Sequence, residues 1–351
     1  MTEVAPTGQT PTARTRTAGM GRDLARWYRR SGGDLPGSDP RPSHGAEMEG
    51  YFWRFTDAAA RRVVVALCGV NRHPEGDWAT VAVAVHPGGV TRSAVVADAV
   101  ADRERYAVRA GDALVADETG VRVRLDGVEL DATLHETRAW PLRLGGGGIF
   151  GALPFLGQYW HPHVLGGRAE VTWVVDGERT RSVDADVYAE KNWGAGFPDR
   201  WWWGQAQGFD RPDVCVAFGG GRLSAGPVAV DVTGVVVRIG DRVVRVAPPA
   251  AWVRTDVADG RWRIDARHPA GWRVRLDGRA DATPPHVLPV PLPAERRNVD
   301  RDLEHLAGRL DLRVERWGRP RLVATSTLAA LEVGSVDPDE ADRLRTEFGV
   351  P

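Results

Sequence analysis

Tyr188-Ala189-Glu190-Lys191-Asn192-Trp193-Gly194, followed after a short gap by Trp201-Trp202-Trp203-Gly204-Gln205-Ala206-Gln207-Gly208, is the stretch whose reading decides the fold. Strand alternation sorts its second half into two faces. Trp201, Trp203, Gln205, Gln207 and Phe209 fall on one side; Trp202, Gly204, Ala206 and Gly208 fall on the other. One face is aromatic and amide-bearing, while the other is nearly bare and admits close approach of a second layer. A sandwich core holding two hydrogen-bonded glutamines fits this spacing. A ligand-lined cavity fits it too, and the cost of burying two amides beside indoles without partners favours the cavity.

Composition singles out the same segment. Of 14 tryptophans, four (Trp193, Trp201, Trp202, Trp203) lie within residues 193–203. Lys191 is the only lysine among 46 basic residues, and its neighbour Asn192 is one of three asparagines. Three of the four glutamines, Gln158, Gln205 and Gln207, lie nearby. The arginine bias reads as coding composition, so rare residues crowding one segment mark a place that resists it.

Outward from this segment, short runs of β-branched and aromatic residues alternate with turn formers. Tyr51–Phe55, Arg61–Val70, Ala79–Val85, Val121–Leu125, Ala169–Val175 and Ser182–Tyr188 are expected strands of the first half. Val228–Ile239, Asp241–Val246, Arg261–Asp265, Trp272–Leu276, Gly308–Arg316 and Arg321–Val333 continue the pattern. Asp126-Gly127, Asp176-Gly177, Asp259-Gly260 and Asp277-Gly278 are hairpin signals. The spacing predicts an all-β chain of antiparallel barrels or sandwiches. Short helices are expected over Gly21–Arg30 and Val299–Ala307, and one at the C-terminus opened by Asp337 as N-cap with Pro338 behind it. The expected division is a tail and helix over 1–40, domains over 41–218 and 219–336, and a terminal helix over 337–351. The first twenty residues read as a disordered tail.

Bulk properties exclude whole classes. A net charge of -1 gives no general reason to bind nucleic acid or an anionic membrane. No apolar run approaches the roughly 20 residues a membrane helix needs, and Met1–Met20 lacks the apolar segment of a signal peptide. Cytoplasmic localisation without stable membrane insertion is the resulting expectation. Cys68 and Cys215 fit no metal spacing, His161-Pro162-His163 lacks a companion ligand, and no metal or cofactor is expected. Gly145–Gly148 is a loop without the Lys-Ser/Thr of a phosphate site.

Glu47, Glu49, Tyr51, Trp53 and Phe55 share one strand face. A carboxylate heading that strand can sit in solvent; if enclosed, it becomes a usable acid beside rings that stabilise a cation. Glu190 and Lys191 point to opposite sides of an extended chain, so adjacency does not make them a pair.

These residues resemble the tocopherol cyclase family. The resemblance rests on Glu49-Gly50-Tyr51-Phe52-Trp53, on the Tyr188–Gln205 stretch with Phe197-Pro198, and on Ser326 with Ala329–Gly334. A looser block runs from Phe150 to His163. Tyr51 stands where the family usually carries Trp, and the His161 region is offset by about a residue. The resemblance implies two lipocalin-like barrel domains and an apolar substrate. It implies alkene protonation followed by ring closure on a prenylated aromatic or polyene, with no cofactor. Glu49, Glu190 and Lys191 are the candidate catalytic residues. Tyr51, Trp53, Gln158, His161, Asn192, Trp193, Trp201, Trp203, Gln205, Gln207 and Glu332 are the candidate substrate contacts. Related lipocalin-like proteins imply two alternatives, a pericyclic cyclase working by substrate shape and a non-catalytic carrier of an apolar metabolite.

Overall fold

A computed structural model describes residues 23–142, 144–225 and 228–350, and strands dominate it. The first sheet contains β1 (Met48–Asp57), β2 (Arg62–Asn71), β3 (Trp78–His86), β4 (Val90–Val96), β5 (Ala99–Ala101) and β6 (Ala107–Ala110). It continues through β7 (Leu114–Asp117), β8 (Gly120–Leu125), β9 (Val128–His135), β10 (Gln158–Val175) and β11 (Glu178–Gly194). Its order is β4-β3-β2-β1-β11-β10-β9-β8-β7-β6-β5, so β11 returns from the far end to pair with β1.

The second sheet begins with β12 (Trp201–Ala206), β13 (Val214–Ala225), β14 (Val228–Ile239), β15 (Arg242–Val246) and β16 (Trp252–Ala258). It ends with β17 (Arg261–Arg267), β18 (Trp272–Arg279), β19 (His286–Leu292), β20 (Arg297–Arg316) and β21 (Arg319–Gly334). The order is β15-β14-β13-β12-β21-β20-β18-β17-β16, with β19 alongside β20. Both sheets are antiparallel and each curls around its own core, β4 meeting β8 in one and β14 meeting β16 in the other. The chain is therefore a pair of lipocalin-like barrels.

Alternation decides which side chains enter each barrel. Tyr51, Trp53 and Phe55 of β1 join Val187 and Ala189 of β11 in the first core. Trp202 and Ala206 of β12 join Phe218, Trp262 and Leu331 in the second. The intervening residues form the contact between barrels, where Tyr188 and Leu165 pack with Trp203, Ala217 and Ala330. The bare face of β12 is filled as its sequence requires: a Cβ on Gly204 would lie 2.4 Å from Cζ of Phe218. The phenyl ring occupies the space a side chain would take.

Arg54 is fully buried where the barrels meet. It donates to the carbonyls of Leu306 (2.9 Å) and Leu328 (2.6 Å) and to Oε1 of Gln205 (3.1 Å), tying β1 to three strands of the other barrel.

Three sequence readings are corrected. Val299–Ala307 lies within β20, not a helix. Its Leu, Glu and Ala favour helix, but both faces of the strand are buried, so no alternation betrays it. Asp277-Gly278 lies inside β18, paired with β17 and β20, and makes no turn. The expected division at residue 219 falls inside β13, and the strands change sheet between Gly194 and Trp201. The N-terminal helix covers 23–30, and its expected start at Gly21 lies outside the described residues, as does the tail read as disordered. The helix Pro338–Glu347 forms as read, with the Asp337 side chain accepting from the Glu340 amide. Among the described residues no helix is long and apolar enough to cross a membrane.

Replacing Gly204 by Val should cost about 1–3 kcal/mol by overpacking against Phe218. A lowered urea midpoint at unchanged slope would show it, and an unchanged midpoint would mean that the ring has room to move.

Candidate active site

The strand β11 serves two compartments. Tyr188, Glu190 and Asn192 leave the first barrel toward the second, while Ala189 and Lys191 point inward. Between the barrels lies a cleft of about 1450 Å³, its mouth included. Phe52, Trp160, Glu190 and Asn192 line it from the first barrel, and Trp201, Trp202, Trp203, Asp302 and Glu332 line it from the second.

Glu190 is the best-organised group in this cleft. Its Oε2 accepts from Trp160 Nε1 (2.7 Å), Tyr188 OH (2.5 Å) and Trp203 Nε1 (3.0 Å). Three donors on one oxygen leave Oε1 as the place for a proton. Burial pushes the carboxyl up, and although the three donors pull it down the balance lies at about 7. A carboxyl so placed is part protonated at neutral pH, and its anion is stabilised in advance. Trp160 reaches Glu190 because the loop behind it is bare: a Cβ on Gly146 would lie 2.0 Å from the Trp160 ring. The Gly145–Gly148 run, read as a loop, is the seat of that ring.

Across the cleft stands a second carboxyl group. Glu332 Oε1 accepts from Trp201 Nε1 at 2.6 Å. Asp302 and Glu332 each act on the other's titration, and two buried carboxyls this close do not both ionise readily. Burial, then the charge of Glu190, pushes Glu332 up to about 8. Burial and Glu332 raise Asp302 far above the ordinary carboxylate range. Glu304 pairs with Glu332 across β20 and β21, is fully buried, and is raised by burial and by Glu332.

Glu49 and Lys191 come together, but away from the cleft. Lys191 Nζ lies 3.0 Å from Glu49 Oε2, with both side chains fully buried. Nζ also donates to the carbonyl of Pro42 (2.7 Å) and to His44 Nδ1 (3.1 Å), so His44 Nε2 carries the hydrogen it gives Asp34 at 3.1 Å. Ser43 Oγ (2.6 Å), the amides of His44 (3.0 Å) and Gly45 (2.9 Å), and Arg72 (3.1 Å) complete the shell of Glu49. Burial alone would raise the Glu49 pKa; Lys191 and these donors outweigh it and hold the group at about 2. A carboxylate this acidic holds no proton to give, and Lys191 braces residues 40–44. Neither fits the catalytic role expected of it.

The remaining candidates divide. Tyr51, Gln158, Asn192, Trp201, Trp203 and Glu332 border the cleft. Trp53 is packed in the first core, and Trp193 stacks between His44 and Tyr159. Burial and the neighbouring His163 and Lys191 depress His161 to about 3, so it is neutral, while His163 stacks on Tyr106. Gln205 is held by Arg54 and by Cys215 Sγ, and Ser326 donates to the backbone of Gln207. Both amides belong to the seam between barrels, because the aromatic face of β12 splits: its tryptophans reach the cleft and its glutamines do not. Among the described residues no three His, Cys, Asp or Glu side chains gather as a metal set.

Sequence reasoning missed Trp160 and Tyr188 as partners of Glu190, and missed Asp302 and Glu304 altogether. The signal for the last two was two acids spaced by two beside Leu303, Leu306 and Ala307, hidden by the helical reading.

Removing Lys191 with Lys191→Met should cost about 3–5 kcal/mol, because it strands a buried carboxylate. Adding Glu49→Gln should restore part of this. The depressed Glu49 contributes stability that is complete above its unfolded value of 4.5 and is lost as pH falls through about 2. Urea midpoints across that range, for the parent and Lys191→Met, would test both statements; equal acid sensitivity would contradict them.

A family model described as Tocopherol cyclase-like matches residues 145–335, the span from before β10 to the end of β21. A probable chloroplastic tocopherol cyclase of Oryza sativa subsp. japonica is 29% identical over 202 residues, 53% of this chain and 42% of that protein. The chloroplastic tocopherol cyclase of Zea mays is 38% identical over 69 residues, 19% of this chain and 14% of that protein. The chain thus matches less than half the length of these curated relatives. The crystal structure of CghA with Sch210972 is similar in fold, with a TM-score of 0.54 at 10% identity, covering 87% of this chain and 97% of that one. With more than half of its length under the family's model, the chain belongs to the tocopherol cyclase-like family.

Proposed function

We propose that this protein is a cofactor-independent cyclase that protonates an alkene of an apolar prenylated aromatic or polyene substrate and closes a ring within it. The observation that carries the reading is Glu190: a carboxyl raised to about 7, in a tryptophan-lined cleft, with three donors on one oxygen.

The chemistry follows from this arrangement. A proton on Oε1 passes to the less substituted alkene carbon, leaving a tertiary cation and the Glu190 anion. Trp160, Tyr188 and Trp203 stabilise that anion in place, so no water need reorganise around it. The rings of Trp160 and Trp203 present negative faces to the cation. An oxygen of the same substrate captures the cation; its C–O bond forms as its O–H bond breaks, and the released proton restores Glu190. The sum is an isomerisation, with no oxidant and no lost group. Trp53 and Trp193, named above as candidate substrate contacts, are packed elsewhere, Trp53 in the first core and Trp193 between His44 and Tyr159, and do not share in this.

Glu190→Gln should lower kcat by about 10²–10⁴-fold on a prenylated hydroquinone, with the fold intact by circular dichroism. Unchanged turnover would sink the acid role and favour ring closure by substrate shape.

The acid must hold its proton, so kcat/KM should be level below about pH 7 and fall above it. Tyr188→Phe removes one donor that lowers this pKa, so its alkaline limb should move up, by about one unit. A limb that stays put would separate the pH dependence from Glu190.

A further inference from the structure

We propose that Asp302 and Glu332 form a protonated carboxyl pair that donates a hydrogen bond to an uncharged oxygen on the substrate's ring, so that this side of the cleft selects neutral oxygenated head groups over anionic ones. The inference rests on the reading of the cleft as the substrate site and names what its second wall recognises.

The geometry is specific. Both side chains border the cleft. Trp201 Nε1 occupies Glu332 Oε1 at 2.6 Å, which leaves the other oxygen of Glu332 for the pair and the ligand. Asp302 Oδ1 and both oxygens of Glu304 are buried without a hydrogen-bond partner among the described residues. The charged groups acting on the pair are Glu304 from β20 and Glu190 from β11, and Arg54 from β1 acts on Glu304. Arg54 already donates to the Leu306 and Leu328 carbonyls, Thr56 and Gln205. One engaged guanidinium facing a cluster of carboxyls cannot support full ionisation, and burial adds to the cost. The pair is therefore protonated at neutral pH and acts as a hydrogen-bond donor in an apolar wall. An anionic head group would meet acceptors and like charge; a phenol or carbonyl oxygen would meet a donor.

Binding can be separated from chemistry in Glu190→Gln protein, where the loss of the proposed acid cannot obscure it. Isothermal titration calorimetry with 2-geranylphenol and with a prenyl carboxylic acid of similar length, between roughly pH 6 and 9, keeps the phenol neutral over most of the range. The phenol should bind at least about tenfold tighter than the carboxylate at pH 7, and its affinity should fall on the alkaline side as the pair loses its donor proton, with a midpoint below the value of about 8 that Glu332 has beside the Glu190 charge. Adding Glu332→Gln, which keeps an N–H donor, should preserve phenol affinity and abolish the alkaline decline; adding Glu332→Ala should weaken it by about tenfold. Equal affinity for the two ligands, no measurable phenol binding, tighter binding at alkaline pH, or a Glu332→Gln protein as weak as Glu332→Ala would each overturn the assignment. Loss of turnover in Glu190→Gln together with unchanged binding in Glu332→Ala would leave the acid role standing and remove this one.

Discussion

Consecutive side chains of an extended strand must leave on opposite sides of the sheet, and β11 turns that constraint into two compartments. Lys191 enters the first barrel and meets Glu49; Glu190 leaves it and meets Trp203 of the second. One peptide unit separates a buried ion pair from a buried carboxyl that is part protonated at neutral pH. A helix could not divide them so sharply, because neighbours on a helix differ by only about 100° in direction. The pairing of β11 with both β1 and β10 fixes its register, since a slip of one residue would exchange the two compartments.

The same residue type then behaves in two ways for reasons visible in its neighbours. Glu49 and Glu190 are both buried, and burial pushes both upward. Glu49 has a full positive charge at 3.0 Å, reinforced by backbone amides, and is held at about 2. Glu190 has only neutral donors, which temper the effect of burial without reversing it. A charge placed within the barrel outweighs desolvation; dipoles around the cleft do not. Structural anchor and candidate acid differ in that one respect.

Legibility in the sequence followed the same physics. The strand pattern, the hairpin dipeptides at Asp176 and Asp259, and the asymmetric faces of β12 were readable because alternation is local. The segment Tyr188–Gln207 brings Glu190, Asn192, Trp201 and Trp203 to the cleft, while its lone Lys191 turns into the first barrel: rarity marks a constrained position and says nothing about which side of a sheet it occupies. How each glutamate titrates depends on burial and, for Glu49, on Lys191 with residues 43–45 and 72, for Glu190 on residues 160, 188 and 203, contacts made by loops and by distant strands. Asp302 and Glu304 escaped notice because residues 302–308 of β20 are buried on both faces, and a stretch without an exposed side carries no period to detect.

The abundance of tryptophan at the cleft follows from what these carboxyls need. Trp160 and Trp203 direct their N–H groups to Glu190, Trp201 directs its own to Glu332, and Trp202 gives its to Thr233. Each indole's polar atom is thereby engaged by the protein, and what it offers the cleft is carbon and the negative face of a ring. Phenylalanine would supply the face but strand the carboxyl without its donor. Tyrosine carries its hydroxyl at the far end of the ring, so meeting the carboxyl would turn the ring end-on. Indole alone among the natural side chains combines a wide apolar face with an edge donor that has no acceptor of its own. A wall that must orient buried acids and still look apolar to a ligand is therefore built from tryptophan, which is why these residues cluster in the sequence where β11 hands over to β12.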